Sequence, residues 1–320
     1  YEMTSSLVGS EMCIRDSGCS GPKGTFNVGI THNLYIFELL IKNTLNVISQ
    51  IGCMIPFCIM TSELNDKETR SFFKDHNFFG YDPDYIRFFI QESNPVTDLN
   101  GQILLKSPDE ILKSPNGNGG WFQSMYNSHI LDDPIFCNTQ WVNVFSVDNV
   151  LQGIADPVFL GATIDNECCC GSKVVKKSYP DEKVGAICTS NGKPYIIEYY
   201  ELDKLKQQGK IINPDLFNYG VTLNYLFQLS KLKETLSSDM PIHKVKKNVP
   251  RFYKNNLRIT SSVENAYKYE TLALDLIYKF DNCLAFEINR DKEFAPIKNK
   301  IGKDSIESAR ILLEKNGWVL

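Results

Sequence analysis

The chain of 320 residues has only four histidines, and its ten cysteines include no C-x-x-C pair. A zinc centre built on the usual Cys/His spacing is therefore excluded as an organising feature. Basic charge is not in excess either: 34 Lys and Arg stand against 38 Asp and Glu, a net charge of −4. Such a chain has no general attraction for nucleic acid or anionic lipid, so a phosphate ligand needs a local site. Long apolar runs are missing as well. The longest, Ile51 to Met60, is interrupted by Gly52 and Pro56 and falls short of the roughly 18–20 residues that cross a bilayer. What is present is 42% hydrophobic residues and 12% aromatics, enough for one large α/β core or two modest ones. Cys53, Cys58, Cys188 and Cys283 lie singly in apolar runs, where a free thiol behaves as a small hydrophobe; reduced thiols imply the cytosol.

Residues 1 to about 17 stand apart. Ser5 to Ser17 resembles the translated read-through of a sequencing adapter and shows neither helical nor strand periodicity. This segment is expected to lie outside the fold, as an artefact or a disordered tail. At the other end the chain stops at Trp318-Val319-Leu320 as a new apolar segment begins, which reads as a fragment.

Between these limits helical periodicity predicts helices over Leu34–Gln50, Glu63–His76, Leu216–Lys233, Tyr269–Phe280 and Asp304–Lys315. Strands are predicted at Cys53–Met60, Tyr85–Gln91, Trp141–Val147, Lys173–Lys177, Val184–Thr189, Tyr195–Tyr200 and Cys283–Ile288. Their alternation implies an α/β fold with a mainly parallel sheet covered on both faces.

Four features bear on chemistry. Gly18-x-x-x-Pro22-Lys23-Gly24 is a glycine-rich turn with a lysine ahead of a helix, a place where backbone N–H groups can meet phosphate. Pro115-Asn116-Gly117-Asn118-Gly119-Gly120 is a loop whose glycines let backbone approach a flat ligand such as a base. An apolar strand ends in Val147-Asp148-Asn149, and ligands of open α/β sheets bind beyond the carboxyl ends of strands. A carboxylate there suits Mg²⁺, which takes one or two carboxylates plus phosphate oxygens. Phe294-Ala295-Pro296-Ile297-Lys298-Asn299 presents a second lysine from a turn. Taken singly, each is equally an ordinary turn, cap or surface lysine.

In their order and intervals, the four together resemble the eukaryotic UDP-N-acetylglucosamine pyrophosphorylase family. The likeness runs from Pro22-Lys23-Gly24 through Ile59-Met60-Thr61-Ser62, Gln91, Asn116–Gly120, Val147-Asp148-Asn149, Lys173-Val174-Val175, Val184-Gly185, Glu198-Tyr199 and Phe217-Asn218 to Phe294–Asn299. It covers about residues 18 to 320 and implies a Rossmann-like, GT-A-like nucleotidyltransferase domain, incomplete at both ends. By that resemblance Gln91 and the Gly117-Asn118-Gly119 loop would contact uracil, Lys23 would neutralise the triphosphate, and Gly18 and Pro115 would be among the substrate-binding residues. Asp148 would hold Mg²⁺ (or Mn²⁺), Lys298 would bind phosphates, and Gly185, Glu198 and Asn218 would line a sugar pocket. The substrates would be UTP and a sugar 1-phosphate, with UDP-N-acetylglucosamine and pyrophosphate as products; no nucleic-acid or membrane partner is implied.

Three departures matter. The family's G-x-G-T-R loop is missing, with only Gly18 surviving; Val221 stands where the family has a second Asn; Leu272 and Leu274 replace phenylalanines near the acetamido group. A UDP-sugar pyrophosphorylase acting on glucose or galactose 1-phosphate, or a non-catalytic UDP-sugar-binding protein, are the alternatives these departures keep open.

Overall fold

The computed structural model describes residues 2–8, 21–210, 213–252, 258–259 and 263–320. In chain order the main elements are β1 (Glu2–Val8), α1 (Ile36–Ile51), β2 (Phe57–Thr61), α2 (Asp66–Asp75), β3 (Ile86–Ile90), α3 (Trp121–Asn127), β4 (Thr139–Ser146), α4 (Pro157–Asp165) and β5 (Cys170–Lys176). They continue with β6 (Ala186–Ser190), β7 (Lys193–Ile197), α5 (Tyr199–Gln207), β8 (Tyr219–Gln228), α6 (Leu229–Thr235), β9 (His243–Lys247), β10 (Ala266–Glu270), β11 (Leu284–Glu287) and α7 (Ile306–Lys315).

The main sheet has the order β7-β6-β8-β4-β1-β2-β3, with β5 joined to β8 and β11 to β5. Pairings β4/β1, β1/β2 and β2/β3 are parallel, whereas β8 runs antiparallel to β4, β5 and β6. The sheet is thus mixed: β1 to β4 form a parallel block, and β11 pairs parallel with β5 at another edge. A smaller sheet, β9-β10 and the short strand Thr97–Asp98, stands apart from it.

Alternate residues of the central strands face two separate cores. Phe57 and Ile59 of β2, with Trp141 and Phe145 of β4, pack against α1, α4 and α7. Cys58 and Met60, with Val142 and Val144, pack against Trp121, Phe122 and Met125 of α3 and against Leu274 and Ile277. All five residues of β2 are buried, as expected of a strand covered on both faces. α1 stops at Gly52, whose left-handed backbone (φ 73°) returns its N–H to the Ile48 carbonyl.

Three expectations are corrected. The first residues do not lie outside the fold throughout: Glu2–Val8 forms β1, hydrogen-bonded between β2 and β4. A central strand held by two ladders needs no alternating pattern of its own, so its sequence carried no visible period. Leu216–Lys233 is not one helix. Its middle is β8, in which Tyr225, Leu226 and Phe227 are all buried, and only Leu229–Thr235 is helical. A strand buried on both faces reads as a continuous apolar run that periodicity does not separate from a helix. Tyr269–Phe280 likewise divides, into the end of β10 and a 3₁₀ segment at Ala273–Lys279.

Candidate active site

The carboxyl ends of the parallel strands carry Thr61, Gln91 and the Ser146-Val147-Asp148 turn, where ligands of open α/β sheets bind. Asp148 is buried, and the Ser146 hydroxyl donates to its Oδ1. Its backbone carbonyl accepts from Ile297 N at 2.9 Å, which places the next residue, Lys298, beside the same strand end. Neighbouring Asn149 fastens this arrangement: its Nδ2 donates to the Glu293 carbonyl (2.8 Å), and its Oδ1 accepts from Ala295 N (2.9 Å). The β4 turn and the Phe294–Asn299 segment are therefore one unit.

A second tie holds that unit from behind. Lys173, fully buried on β5, donates from Nζ to Glu293 Oε2 (2.6 Å), Asp156 Oδ2 (2.8 Å) and the Gly153 carbonyl (3.2 Å). Glu293 Oε2 also accepts from Gly153 N at 3.1 Å. Sequence reasoning gave Lys173 and Glu293 no role. The available signal was a lysine inside an apolar strand, since lysine is almost never fully buried unless paired.

Lys23 sits in a short 3₁₀ turn over the start of α1 and is itself buried, 3% exposed. Its Nζ has no hydrogen-bond partner among the described residues. An ammonium buried without a partner is costly, and an anion supplied from outside would relieve that cost. Gly18 lies outside the described residues.

Gln91 follows β3, is buried, and donates from Nε2 to the Gly117 carbonyl. Pro115, in the short strand Lys113–Pro115, pairs with Ser93. The Gly117–Gly120 loop closes on the backbone at 271–273: Gly119 N donates to the Thr271 carbonyl (2.8 Å), and Ala273 N donates to Asn118 Oδ1 (2.9 Å). Gly117 has φ 84°, and a Cβ there would meet Thr271 N at 2.8 Å; one on Gly119 would meet Thr271 C at 2.6 Å. These two glycines are thus explained first by close packing within the protein, and Asn118 Oδ1 is occupied by Ala273.

Gly185, Glu198 and Val221 form a third group. A Cβ on Gly185 would lie 3.5 Å from Glu198 Oε1 and 3.5 Å from Val221 Cγ2, and Val221 N donates to the Gly185 carbonyl (2.8 Å). Burial pushes the Glu198 carboxyl above its usual range, Glu201 adds to this, and Lys298 opposes it. Lys298 also opposes the burial-driven rise of Asp304, on which Asp148 acts in the other direction. The charge of Lys298 thus acts on both Glu198 and Asp304, and its backbone N donates to the Asp304 carbonyl (2.6 Å). Asn218 stands just before β8, its carbonyl accepting from Lys177 N (2.7 Å). Leu272 is only partly buried, whereas Leu274 belongs to the packed core.

The model of the UTP–glucose-1-phosphate uridylyltransferase family matches residues 12–315. The human UDP-N-acetylhexosamine pyrophosphorylase-like protein 1 is 32% identical over 317 residues, covering 95% of this chain and 62% of the relative. UDP-N-acetylglucosamine pyrophosphorylase of Saccharomyces cerevisiae is 33% identical, over 94% of this chain and 66% of the relative. The chain spans about three-fifths to two-thirds of the length of these curated relatives. Among solved structures, a provisionally assigned UDP-N-acetylglucosamine pyrophosphorylase from Entamoeba histolytica superposes with a TM-score of 0.84 at 27% identity. That match covers 96% of this chain and 79% of the other.

Proposed function

The chain belongs to the UTP–glucose-1-phosphate uridylyltransferase family, and from that premise we propose that it joins UTP to N-acetylglucosamine 1-phosphate, releasing pyrophosphate. The observation that carries this reading is the direct tie between Asp148 and the Lys298 segment through the Ile297–Asp148 backbone bond. In the reaction an oxygen of the sugar phosphate forms a bond to the α-phosphorus of UTP. The bond from that phosphorus to the bridging oxygen breaks, and pyrophosphate leaves with the electron pair. The nucleophile is already an anion, so no serine, cysteine or histidine has to generate one. The obstacle is repulsion between phosphates, and fixed cations around the reacting oxygens meet it.

Lys23 offers its unpaired ammonium to the triphosphate, and Lys298 stands where the two phosphates would meet. Asp148 suits Mg²⁺ or Mn²⁺: it is a hard oxygen donor at a strand end, with Oδ1 bonded by Ser146. The ion, when bound with the phosphates, would neutralise their charge. Gln91 and the 117–119 loop take the uracil, while Glu198, Gly185 and Asn218 take the sugar hydroxyls. The eight described cysteines are all free thiols, which supports a reducing compartment such as the cytosol. Among the described residues no helix is long and apolar enough to cross a membrane.

A second reading has one observation in its favour. Val221 and Ile196 place hydrocarbon around Gly185 where an amide-bearing sugar wants polar partners, which favours an unacetylated sugar 1-phosphate. The test is pyrophosphate release from the full-length protein with UTP, Mg²⁺ and a panel of sugar 1-phosphates. Release with N-acetylglucosamine 1-phosphate above all others supports the first reading, and preference for glucose or galactose 1-phosphate supports the second. Binding of UDP-sugars without turnover of any sugar would leave a non-catalytic binding protein.

A further inference from the structure

Asp275 is 2% exposed in its side chain and lies in the 3₁₀ segment that follows the 271–273 backbone. One oxygen, Oδ2, accepts both from Leu272 N (3.0 Å) and from Nε2 of His243 (2.8 Å), at the start of β9. The first contact closes the turn at Leu272; the second reaches across from the smaller sheet. His243 pairs in register with Glu270, so β10 delivers the chain straight into this turn. The turn in turn receives the Gly117–Gly120 loop through three hydrogen bonds: Thr271 N to the Asn116 carbonyl (2.7 Å), Gly119 N to the Thr271 carbonyl and Ala273 N to Asn118 Oδ1. On its other side the loop is held by Gln91, which donates to the Gly117 carbonyl, and by Asn116 N, which donates to the Glu92 carbonyl (3.0 Å).

We infer that His243 is a positioning residue for the nucleotide loop: by holding Asp275 it fixes the 271–273 backbone on which Gly117, Asn118 and Gly119 close. The same clamp holds the backbone of Leu272. The Asp275 carboxylate needs a donor from His243, because Leu272 N alone leaves a buried anion short of partners. Glu198, Glu201 and Glu270 are the carboxylates around the pair, so the imidazole N–H is the contact that offsets Asp275 from this side. The consequence for binding rests on the proposed role of the loop with uracil; the consequence for loop order does not.

Both are tested with His243→Leu, which cannot donate, and His243→Gln, whose amide can donate from a similar reach, in the full-length protein. Hydrogen exchange is expected to quicken at Gly119 and Ala273 in H243L, while amides of β2 and β4 keep their protection. In pyrophosphate-release assays the KM for UTP should rise by about tenfold with kcat at saturation little changed, as for lost uniform binding. H243Q should recover most of both effects. Unchanged exchange at Gly119 in a folded H243L, or a Gln variant no better than Leu, would overturn the inference. If the leucine variant does not fold, His243→Asn, too short to reach Asp275, carries the same comparison. Failure of the wild-type protein to bind UTP would count against the proposed function alone, and the exchange data would still decide the role of His243.

Discussion

Lys173 Nζ lies 2.6 Å from Glu293 Oε2, and this pair joins β5 to the segment that ends in Lys298. With Asp156 at 2.8 Å the lysine has two carboxylates and a carbonyl, while its own side chain is 1% exposed. Removing one partner of a buried ion pair leaves uncompensated charge. Lys173→Met is therefore expected to cost about 3–5 kcal/mol in urea unfolding. The double variant K173M/E293Q should recover part of that loss, since it removes one of the two stranded carboxylates. Additive losses from the two substitutions would mean the pair is not coupled.

The two site lysines should behave differently when replaced. Lys23 has no partner among the described residues, so Lys23→Met should leave the unliganded protein as stable or more so, while weakening UTP binding in calorimetry. Lys298→Ala should instead lower kcat by about 10²-fold or more if its charge acts on the transition state. A change confined to KM would limit Lys298 to substrate binding.

Gly117 has φ 84° and no room for a Cβ against Thr271. Gly117→Ala is expected to open the loop, destabilise the protein by about 1–3 kcal/mol, and reduce UTP affinity more than tenfold. Thermal unfolding and equilibrium binding measure the two effects separately. An alanine variant with wild-type affinity would show that the loop does not carry the nucleotide.

Burial raises the Glu198 carboxyl in the folded protein, with Glu201 as the next contribution. The folded state then holds that proton more tightly than the unfolded state does. Its stabilising effect is complete below the ordinary glutamate value of 4.5 and is lost as pH rises through the folded value. Glu198→Gln should accordingly be more stable than wild type at pH 7, with the difference shrinking to nothing below about pH 4.5 in denaturant titrations. A difference that grows on acidification would reverse the assigned sign.

How far the chain could be read in advance varied with what each residue answers to. Leu34–Gln50 was legible because α1 has one buried face, so its apolar spacing reports its own geometry. Asp148 stands out because it ends an apolar strand, and Lys298 because a turn presents it; the structure joins the two segments through the Ile297–Asp148 backbone bond. β8 was not legible: its second half is buried on both faces, and the continuous apolar run that results reads as part of a helix. Glycines 117 and 119 read in the sequence as letting backbone approach a flat ligand, whereas the surface they approach in the structure is the 271–273 backbone, more than 150 residues further along the chain. His243, Asp275, Lys173 and Glu293 were given no role because a buried polar pair is created by tertiary contact, and no local sequence signal specifies which two residues will meet.

The position of β1 has a consequence for biosynthesis. Ser5 pairs with Phe57 on one side and with Asn143 on the other. At ribosomal rates of about 5–20 residues per second, the first partner is made within seconds of the strand, and the second only after roughly ten seconds or more. Throughout that interval the nascent chain presents one open ladder of N–H and C=O groups, a template for pairing with other chains. The middle of the finished sheet is thus an open edge during synthesis, and a chaperone that shields β1 until β4 has emerged should raise the yield of folded protein more than one acting after release.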